Sequence, residues 1–568
     1  MRYVKRNNKT TISDAHLENM GLKSTQDINQ WYINHRGNQY KVKGTDIFLK
    51  IVSRYISKYI YIFGDYDVDG VSATSIMLLG LHRKGYKNLR FRIPRRFTEG
   101  FGLNKKMVDE IKEKPEDTLI ITVDNGIAAI DTIAYAKEKG FTVIVTDHHK
   151  PSVDENKNVV YPNADLIIDP NAIPDSATFC GYCGAGLAYK MMQSLLDGDT
   201  YVHYLKSIAA LATVCDQMRL EEDNYVIVRE GLSMLNRGYA LPGMLALGET
   251  MEVKQWTSDF MGYKAGPCIN APERMYDGAA GKGVHLLING NIDKCREIAQ
   301  QMKTYNSYRI ESVSAAMQTV DELLEKRGND PGYPVLLYVP DISEGIIGIL
   351  SGKVEERYNS PCGIFTDSAE GILKGSFRSP ENYNIKDHLD MISTEFIGYG
   401  GHEGAGAGSV RKDNFDHMCQ ALIAVSKKPE NNALDSDVYY YDIEINDRDV
   451  AKAIDENIAF APFGNGNPDL IFKVTGFDVI PDYGGYKKPI GSNGVRLKSP
   501  FTTAVGFGLW DQVEIDGPCR ITLYGTIADN FFNGNHYPQI LFEHYELETN
   551  QTTTFTQKVA DKARNRYN

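Results

Sequence analysis

No stretch of 18 or more apolar residues occurs in the 568-residue sequence, so no membrane-spanning helix is expected. The first ten residues, MRYVKRNNKT, hold no apolar core, and no secretory leader is expected there. Both absences point to a cytoplasmic protein. Cysteine is scarce: 8 residues, irregularly spaced, exclude a disulfide scaffold and suit free thiols in a reducing compartment. The lone CxxC at Cys180 and Cys183 has no second pair at zinc-site spacing. No GxxxxGK[ST] phosphate loop is present, so nucleotide-driven chemistry is not implied. The glycines at 184 and 186, and at 404, 406 and 408, fall short of a dinucleotide-binding GxGxxG. A basic excess is missing too, since 74 acidic residues face 62 basic ones for a net charge of −12. Taken alone, that argues against a nucleic-acid binder, whose phosphate-facing surface is usually basic.

What is present is ordinary soluble composition, 42% apolar and 24% charged, at a length suited to about three to five domains. Between residues 58 and 170, strand-like runs at Tyr59–Phe63, Leu89–Ile93, Thr118–Val123 and Phe141–Thr146 alternate with helical spacing at Val71–Arg83, Asn104–Lys112 and Ile127–Lys139. Such alternation predicts a parallel α/β sheet. Residues 186–262 read as mostly helical. The charged, amphipathic stretch 290–327 has no proline and reads as one long connecting helix, ended by GNDPGYP at Gly328–Pro334. A smaller α/β unit follows, with strands at Val335–Val339 and Cys362–Phe365 around a helix at Ile346–Tyr358, and KKPENN at Lys427–Asn432 reads as a linker. Beyond Asp437, short alternating runs rich in Tyr, Phe, Val, Thr and Gly predict a small antiparallel β-barrel or sandwich. They are Tyr439–Ile443, Leu470–Val474, Ala504–Phe507, Arg520–Tyr524 and Gln539–Phe542. The last twenty residues are polar and are expected to form a flexible tail.

Four segments carry chemistry. Gly64-Asp65-Tyr66-Asp67-Val68-Asp69-Gly70, Asp124-Asn125-Gly126 and Asp147-His148-His149 each follow an expected strand, and Asp216 follows the helical run Ile208–Cys215. Ligand sites of open parallel sheets lie beyond the carboxyl ends of the strands, so the first three segments should share one edge. Carboxylates gathered there repel one another unless cations neutralise them. Oxygen-rich ligands with a histidine suit Mn²⁺ or Mg²⁺. Two such ions, about 3.5–4 Å apart, can clamp the attacking and leaving oxygens of a phosphodiester.

GDYDVDG, VDNG and TDHH resemble the signature motifs of the DHH phosphoesterase superfamily, and the chain as a whole resembles its RecJ family of single-strand-specific 5′→3′ exonucleases. PRRFTEGFGL (Pro94–Leu103) is similar to the family's PNRFxxGYGL, ALATVCDQMRL (Ala210–Leu220) to its ALGTVADVVPL, and GPCINAPERM (Gly266–Met275) to GPRINAAGRL. GIIGILSGKVEERYNSP (Gly345–Pro361), KGSFRS (Lys374–Ser379) and GGHEGAGAG (Gly400–Gly408) match segments of the partner domain, DHHA1, and APFGNGNPDLIF (Ala461–Phe472) the start of an oligonucleotide-binding (OB) domain. The resemblance covers about residues 55–545. It implies an α/β fold of two domains, a parallel-sheet DHH domain at 51–289 and a smaller DHHA1 domain at 331–430, joined by a long helix at 290–330. An N-terminal segment at 1–50 precedes them, and an OB-like β-barrel at 431–548 and a tail at 549–568 follow.

Carried over by position, the resemblance implies that Asp65, Asp67, Asp69, Asp124, His148 and Asp216 hold two divalent ions, with Asp124 between them. It implies that His149 faces the scissile phosphate, Asp147 orients a ligand, and Arg96, Arg274, Ser376 and Arg378 grip a 5′-terminal phosphate, with Gly401 and His402 beside the reacting phosphate. A guanidinium fork suits two phosphate oxygens. Two departures stand out. Phe63 occupies a position where many superfamily members carry histidine, and Ile342-Ser343-Glu344-Gly345 replaces the family's Trp-His-x-Gly. Residues 83–106 hold nine Lys or Arg against one acid, Glu99, with Tyr86, Phe91, Phe97 and Phe101 interleaved, which reads as a strand-tracking groove. The expected activity is metal-dependent 5′→3′ hydrolysis of single-stranded DNA to mononucleotides, by a monomer that meets a single-strand-binding protein or helicase. The alternatives are a phosphodiesterase for short oligonucleotides or cyclic dinucleotides, against which the β-rich region speaks, and an inactive Cdc45-like scaffold, against which the intact acidic motifs speak.

Overall fold

A computed structural model describes residues 2–34, 41–154, 156–174, 179–328, 331–427, 438–482, 485–491, 493–532 and 535–548. Most of the expected linker, part of the GNDPGYP boundary and the expected tail lie outside them. The first module is built on five parallel strands: β1 (Tyr59–Phe63), β2 (Leu89–Arg92), β3 (Thr118–Val123), β4 (Thr142–Thr146) and β5 (Leu166–Ile168), in the order β2–β1–β3–β4–β5. All six residues of β3 are buried, as both faces of a parallel sheet require. Each fully buried aliphatic side chain, such as Ile62, Ile121 or Ile144, contributes about 1.5–3 kcal/mol relative to exposure. The chain leaves β1 for β2 on one side and returns to β3 on the other, so the strand order reverses between β1 and β3. Their carboxyl ends carry the Asp65–Asp69 loop and Asp124, and such a switch point is where open α/β sheets form crevices.

Helix α1 (Val68–Lys84) starts at Asp67, whose carboxylate caps the amides of Asp69 and Gly70, and stops at Gly85, which adopts φ 108°. Helices α2 (Gly184–Leu195) and α3 (Val202–Cys215) pack on α1, and α4 (Gly266–Met275) closes the module. Helix α5 (Ile292–Lys326) runs 35 residues, roughly 52 Å, from an Asn291 cap. Its first turns bury Cys295, Ala299 and Met302 in the first core, and its later turns bury Val313, Ala316, Val320 and Leu324 in the next. One rigid element thus belongs to two cores.

The second module holds β6 (Val335–Tyr338), helix α6 (Glu344–Tyr358), β7 (Cys362–Asp367), β8 (Ile372–Arg378), β9 (Gly398–His402) and β10 (Ala405–Arg411), with strand order β9–β10–β8–β7–β6. Only β6 and β7 pair in parallel; the other pairs are antiparallel. At Gly401, φ is 148° and an added Cβ would strike the Ala405 carbonyl, so glycine is needed there for the backbone alone.

The β-rich region forms a seven-stranded sheet, but a mixed one. Ile443–Asn446 runs parallel to Phe472–Asp478, and Thr503–Gly506 runs parallel to Asn535–Leu547. The expected antiparallel arrangement is corrected here, because the connections through helix Val450–Ile458 and between distant strands bring neighbours in from the same end. Among the described residues the outer strands, Ile443–Asn446 and Lys488–Ile490, do not pair with each other. The single strand expected at 439–443 splits at Asp442: Val438–Tyr441 pairs in parallel with the N-terminal strand Arg2–Lys5, and the buried Asp442 carboxylate accepts from Arg6 and from the Ile471 amide. Helix Ile12–Asn19 then packs on Val450–Ile458, so the N-terminus joins the C-terminal module.

His16, 1% exposed, anchors that junction. Its Nε2 lies 2.7 Å from Asn457 Oδ1, and since the Asn457 amide nitrogen already donates to Asp469, Nε2 carries the proton and Nδ1 is left buried without a partner. Burial lowers the His16 pKa, against the opposing pull of Asn457 and Asp442. The folded state therefore binds this proton less readily than the unfolded chain, and the stabilisation is present above about pH 6.5 and lost as pH falls through it. In melting curves between pH 7.5 and 5, the wild type should lose stability relative to His16→Gln, which keeps a donor for Asn457 but cannot titrate. A pH-independent difference between the two would contradict this.

Candidate active site

Five carboxylates and a histidine meet beyond β1, β3 and β4. Asp69 is buried, and both its oxygens are held by the N-terminus of α2: Oδ2 accepts from Gly184 N–H at 2.6 Å and Oδ1 from Ala185 N–H at 2.8 Å. Helix amides and the helix dipole stabilise charge at that point. Asp124 adopts φ 61°, a left-handed conformation rare for a residue with a side chain, which turns its carboxylate into the cluster. His148 Nε2 lies at the centre, 3.1 Å from Asp124 Oδ1, 3.6 Å from Asp69 Oδ2 and 3.7 Å from Asp216 Oδ2. Asp216 caps the end of α3, and Asp67 caps the start of α1.

The electrostatics are unfavourable as they stand. Burial and then neighbouring carboxylates push the Asp65, Asp67 and Asp124 carboxyls up, and Asp216 reaches about 8 for the same reasons. Burial lowers the pKa of His148, so its ring is neutral and offers a lone pair. Buried oxygens Oδ1 of Asp65 and Oδ1 of Asp124 accept no hydrogen bond. Ligand atoms of Asp69, His148 and Asp216 lie within 4.8 Å of one another, as do those of Asp124, His148 and His149. Buried, mutually repelling oxygens with orphaned lone pairs beside a neutral imidazole fit hard divalent cations.

Asp147 points away from this cluster. Its Oδ1 accepts from the amides of His148 and His149 and from His149 Nδ1 at 2.7 Å, while Oδ2 accepts from Ile127 N–H. Burial opposes a charged His149, but the Asp147 hydrogen bond and charge, with Asp216 and Asp69 beyond, push it up to about 9. A cationic His149 thus stands at the mouth, its ring edge-on to Phe101.

Arg96, Arg274, Ser376 and Arg378 gather where α4 meets the second module. Gly345 lies against the Arg274 carbonyl so closely that a Cβ could not fit, Arg274 Nη1 donates to the Gly345 carbonyl at 3.1 Å, and Ser343 Oγ donates to the Arg274 carbonyl. Among the described residues none of the three arginines makes a carboxylate ion pair. Burial, with Arg96, Arg309 and Arg378 nearby, lowers Arg274 to about 9. Arg96 lies over the Tyr66 ring, 5.0 Å from its centroid, which links this pocket to the acidic loop. Burial, with Arg378 and Lys150 near, lowers His402 and keeps it neutral.

The two departures have structural replacements. Phe63 is buried in an apolar cluster with Leu103, Met107 and Val108, and Ser343 caps α6. The basic stretch is less open than its composition suggests: Arg83 pairs with Asp199, Arg92 with Glu99 and Glu110, and Lys106 with Glu99, while Tyr86 is buried.

Sequence reasoning missed four residues. Glu273 is buried and accepts from the amides of Arg96, Gly278 and Ala280 at 2.7–2.9 Å, and Asp277 accepts from Phe97 N–H and Thr98 Oγ1. Gly184, set aside as a broken dinucleotide loop, donates to Asp69, and an added Cβ would stand 2.5 Å from Asp124 Cβ. Cys183, of the lone CxxC, caps α2. Gly184→Ala should displace Asp124, lowering Mn²⁺ affinity by about 10–100-fold, as loss of a ligand-orienting contact does; wild-type affinity in a calorimetric titration would refute that role.

Two family models match: "DHH family, N-terminal domain" over residues 59–215 and "DHHA1 domain" over residues 332–428. Among curated proteins, the chain is 29% identical over 521 residues to the single-stranded-DNA-specific exonuclease RecJ of Haemophilus influenzae, covering 86% of this chain and 87% of that one. Among solved structures, RecJ from Thermus thermophilus in complex with Mn²⁺ aligns at a TM-score of 0.76 and 20% identity, over 96% of this chain and 79% of that one. An exonuclease RecJ bound to manganese aligns at a TM-score of 0.60 and 26% identity, over 70% of this chain and 99% of that one.

Proposed function

Since the chain is a RecJ-like member of the DHH/DHHA1 phosphoesterase superfamily, we propose that it is a metal-dependent exonuclease that hydrolyses single-stranded DNA from the 5′ end to mononucleotides. The observation that carries this is the pairing of two opposed fields on one cleft. A buried acidic cluster with orphaned oxygens lies on the first module, and guanidiniums without carboxylate partners lie where the second module meets it. Relatives named for this activity, and a solved relative bound to manganese, support the same reading.

Asp65, Asp67, Asp69, Asp124, His148 and Asp216 would hold two Mn²⁺ or Mg²⁺ ions, with Asp124 shared. When bound, the ions offset the carboxylate charge, polarise phosphoryl oxygens and make water more acidic. The chain's own residues do the rest. Asp147 fixes the His149 ring and its proton, so that an imidazolium meets the charge developing on the scissile phosphate. Gly184 and Ala185 amides hold Asp69 in place. Arg96, Arg274, Arg378 and Ser376 bind the 5′-terminal phosphate and so set the polarity of digestion, and neutral His402, beside Gly401, donates or accepts near the reacting phosphate.

The domain division proposed is the one expected from sequence, with the C-terminal module acting as an OB-like holder of the strand beyond the cut. Its seven-stranded sheet supports a strand-binding surface. The reading places the protein in the cytoplasm, as a monomer fed by a helicase or single-strand-binding protein. Among the described residues no helix is long and apolar enough to cross a membrane.

Asp124→Ala and His148→Ala should each lower Mn²⁺-dependent digestion of a 5′-phosphorylated single strand by at least about 10²–10³-fold. Arg274→Ala should erase the preference for a 5′-phosphate over a 5′-hydroxyl end while leaving Mn²⁺ affinity intact. Undiminished digestion by both site variants would sink the assignment.

A further inference from the structure

Asp216 follows a helix rather than a strand, and the turn after it is strained. It caps the C-terminal end of α3, where the chain turns back through two hydrogen bonds: Gln217 N–H donates to the Val214 carbonyl and Met218 N–H to the Thr213 carbonyl, both at 3.1 Å. Such a turn needs a left-handed residue one position past the cap, a place usually filled by glycine and sometimes by asparagine. Here that residue is Gln217, with φ 53°. A second left-handed residue, Glu222 with φ 47°, closes the same short segment. Left-handed backbone at residues with side chains persists only where the surroundings impose it. Repulsion from Asp69 and Asp67 also works against holding the Asp216 carboxylate beside His148, 3.7 Å away.

What imposes the turn comes from the C-terminal module. Its loop 460–467 lies on the segment 217–225, and Asn465 grips that segment twice. The Asn465 main-chain carbonyl accepts from Leu220 N–H at 2.6 Å, and the Asn465 side-chain amide donates to the Gln217 carbonyl at 2.7 Å. Gly464 lies so near the buried Leu220 that an added Cβ would stand 2.9 Å from Leu220 Cδ1. Tyr225 Oη donates to the Ala461 carbonyl at 2.8 Å. The loop is stiffened from within, since Gly464 and Asn467 exchange two backbone bonds and the Asn467 amide donates to the carbonyls of Phe460 and Pro462. The Gln217 carbonyl and the Met218 N–H belong to one peptide plane. Asn465 therefore holds one side of that plane while the Thr213 carbonyl of α3 holds the other.

We propose that Asn465 is a positioning residue for the acidic cluster: from the C-terminal module it keeps Gln217 left-handed, and so keeps Asp216 turned toward the cations. The proposal rests on the reading of Asp216 as a metal ligand. With the peptide after Gln217 held on both sides, the last turn of α3 stays closed and the Asp216 carboxylate stays beside His148. Without the Asn465 amide, the turn opens in a share of the molecules, and the apparent metal affinity falls in proportion to the share that remains closed. The C-terminal module thus acts on the metal site itself, through a contact made one residue after a ligand.

The test is Mn²⁺ binding to the full-length chain, measured by calorimetric titration. Asn465→Ala keeps the main-chain bond to Leu220, so the loop stays docked. It should bind Mn²⁺ about three- to tenfold more weakly, the effect of losing one hydrogen bond. Gln217→Gly takes up the left-handed backbone without a Cβ to oppose it. Alone it should bind like the wild type, and combined with Asn465→Ala it should restore wild-type affinity, which a merely structural role for Asn465 does not predict. Asp216→Asn, the ligand control, should weaken binding at least about tenfold. Wild-type affinity in Asn465→Ala, with Asp216→Asn weakened, overturns the positioning role and leaves the ligand reading standing. A double variant as weak as Asn465→Ala does the same, because the strain that glycine relieves is then not what Asn465 opposes. Wild-type affinity in Asp216→Asn overturns the ligand reading, and the positioning role with it.

Discussion

Asp65, Asp67, Asp69, Asp124 and Asp216 occupy one desolvated corner, and their mutual repulsion is the constraint around which the first module is arranged. Each sits at the end of a strand or helix whose own position is set by a large apolar core, so the charges cannot move apart. The fold offers partial relief through backbone amides: the start of α2 takes both oxygens of Asp69, and the start of α1 takes Asp67. What the amides leave unsatisfied are the orphaned oxygens of Asp65 and Asp124, which the proposed function assigns to cations. Function here is stored as electrostatic strain, which a metal-free fold tolerates only because the surrounding core is extensive.

The same logic, with the sign reversed, organises the other side of the cleft. Arg274, Arg96 and Arg378 are drawn together without carboxylates to pair with, at the contact between α4, α6 and β8. Helix α5 buries one end in each core and fixes the spacing of the two fields, which a loop linker would leave free. The net charge of −12 is thus an average over a carboxylate cluster and a guanidinium cluster, linked where Arg96 lies over the Tyr66 ring. Neither field requires a broadly basic surface, and much of the basic stretch at 83–106 is matched by its own acids.

Much of this was legible in the sequence because its signals are local. Strands β1, β3 and β4 are short apolar runs, and the acidic residues follow them directly, so strand ends and ligands were read together. Helix α5 was legible from an uninterrupted amphipathic pattern. The rest depends on contacts between distant segments. Gly184 matters through an amide and a missing Cβ, neither of which a side-chain pattern records. Glu273 and Asp277 hold the backbone amides of Arg96 and Phe97 and the Thr98 hydroxyl, about 180 positions away. The pairing of Arg2–Lys5 with Val438–Tyr441 and the mixed strand order of the C-terminal sheet likewise arise from meetings across the chain. Alternation announced strands there but carried no information about their direction.

The claim that buried repulsion awaits cations is tested most directly by the melting midpoint of the metal-free chain as Mn²⁺ is added at pH 8, for the wild type and for Asp124→Asn. Relief of repulsion predicts that the wild-type midpoint rises and saturates with Mn²⁺, as ligand linkage requires. It also predicts that Asp124→Asn starts above the metal-free wild type and rises less. A wild-type midpoint that Mn²⁺ does not move, together with an Asp124→Asn variant no more stable than the metal-free wild type, would contradict it.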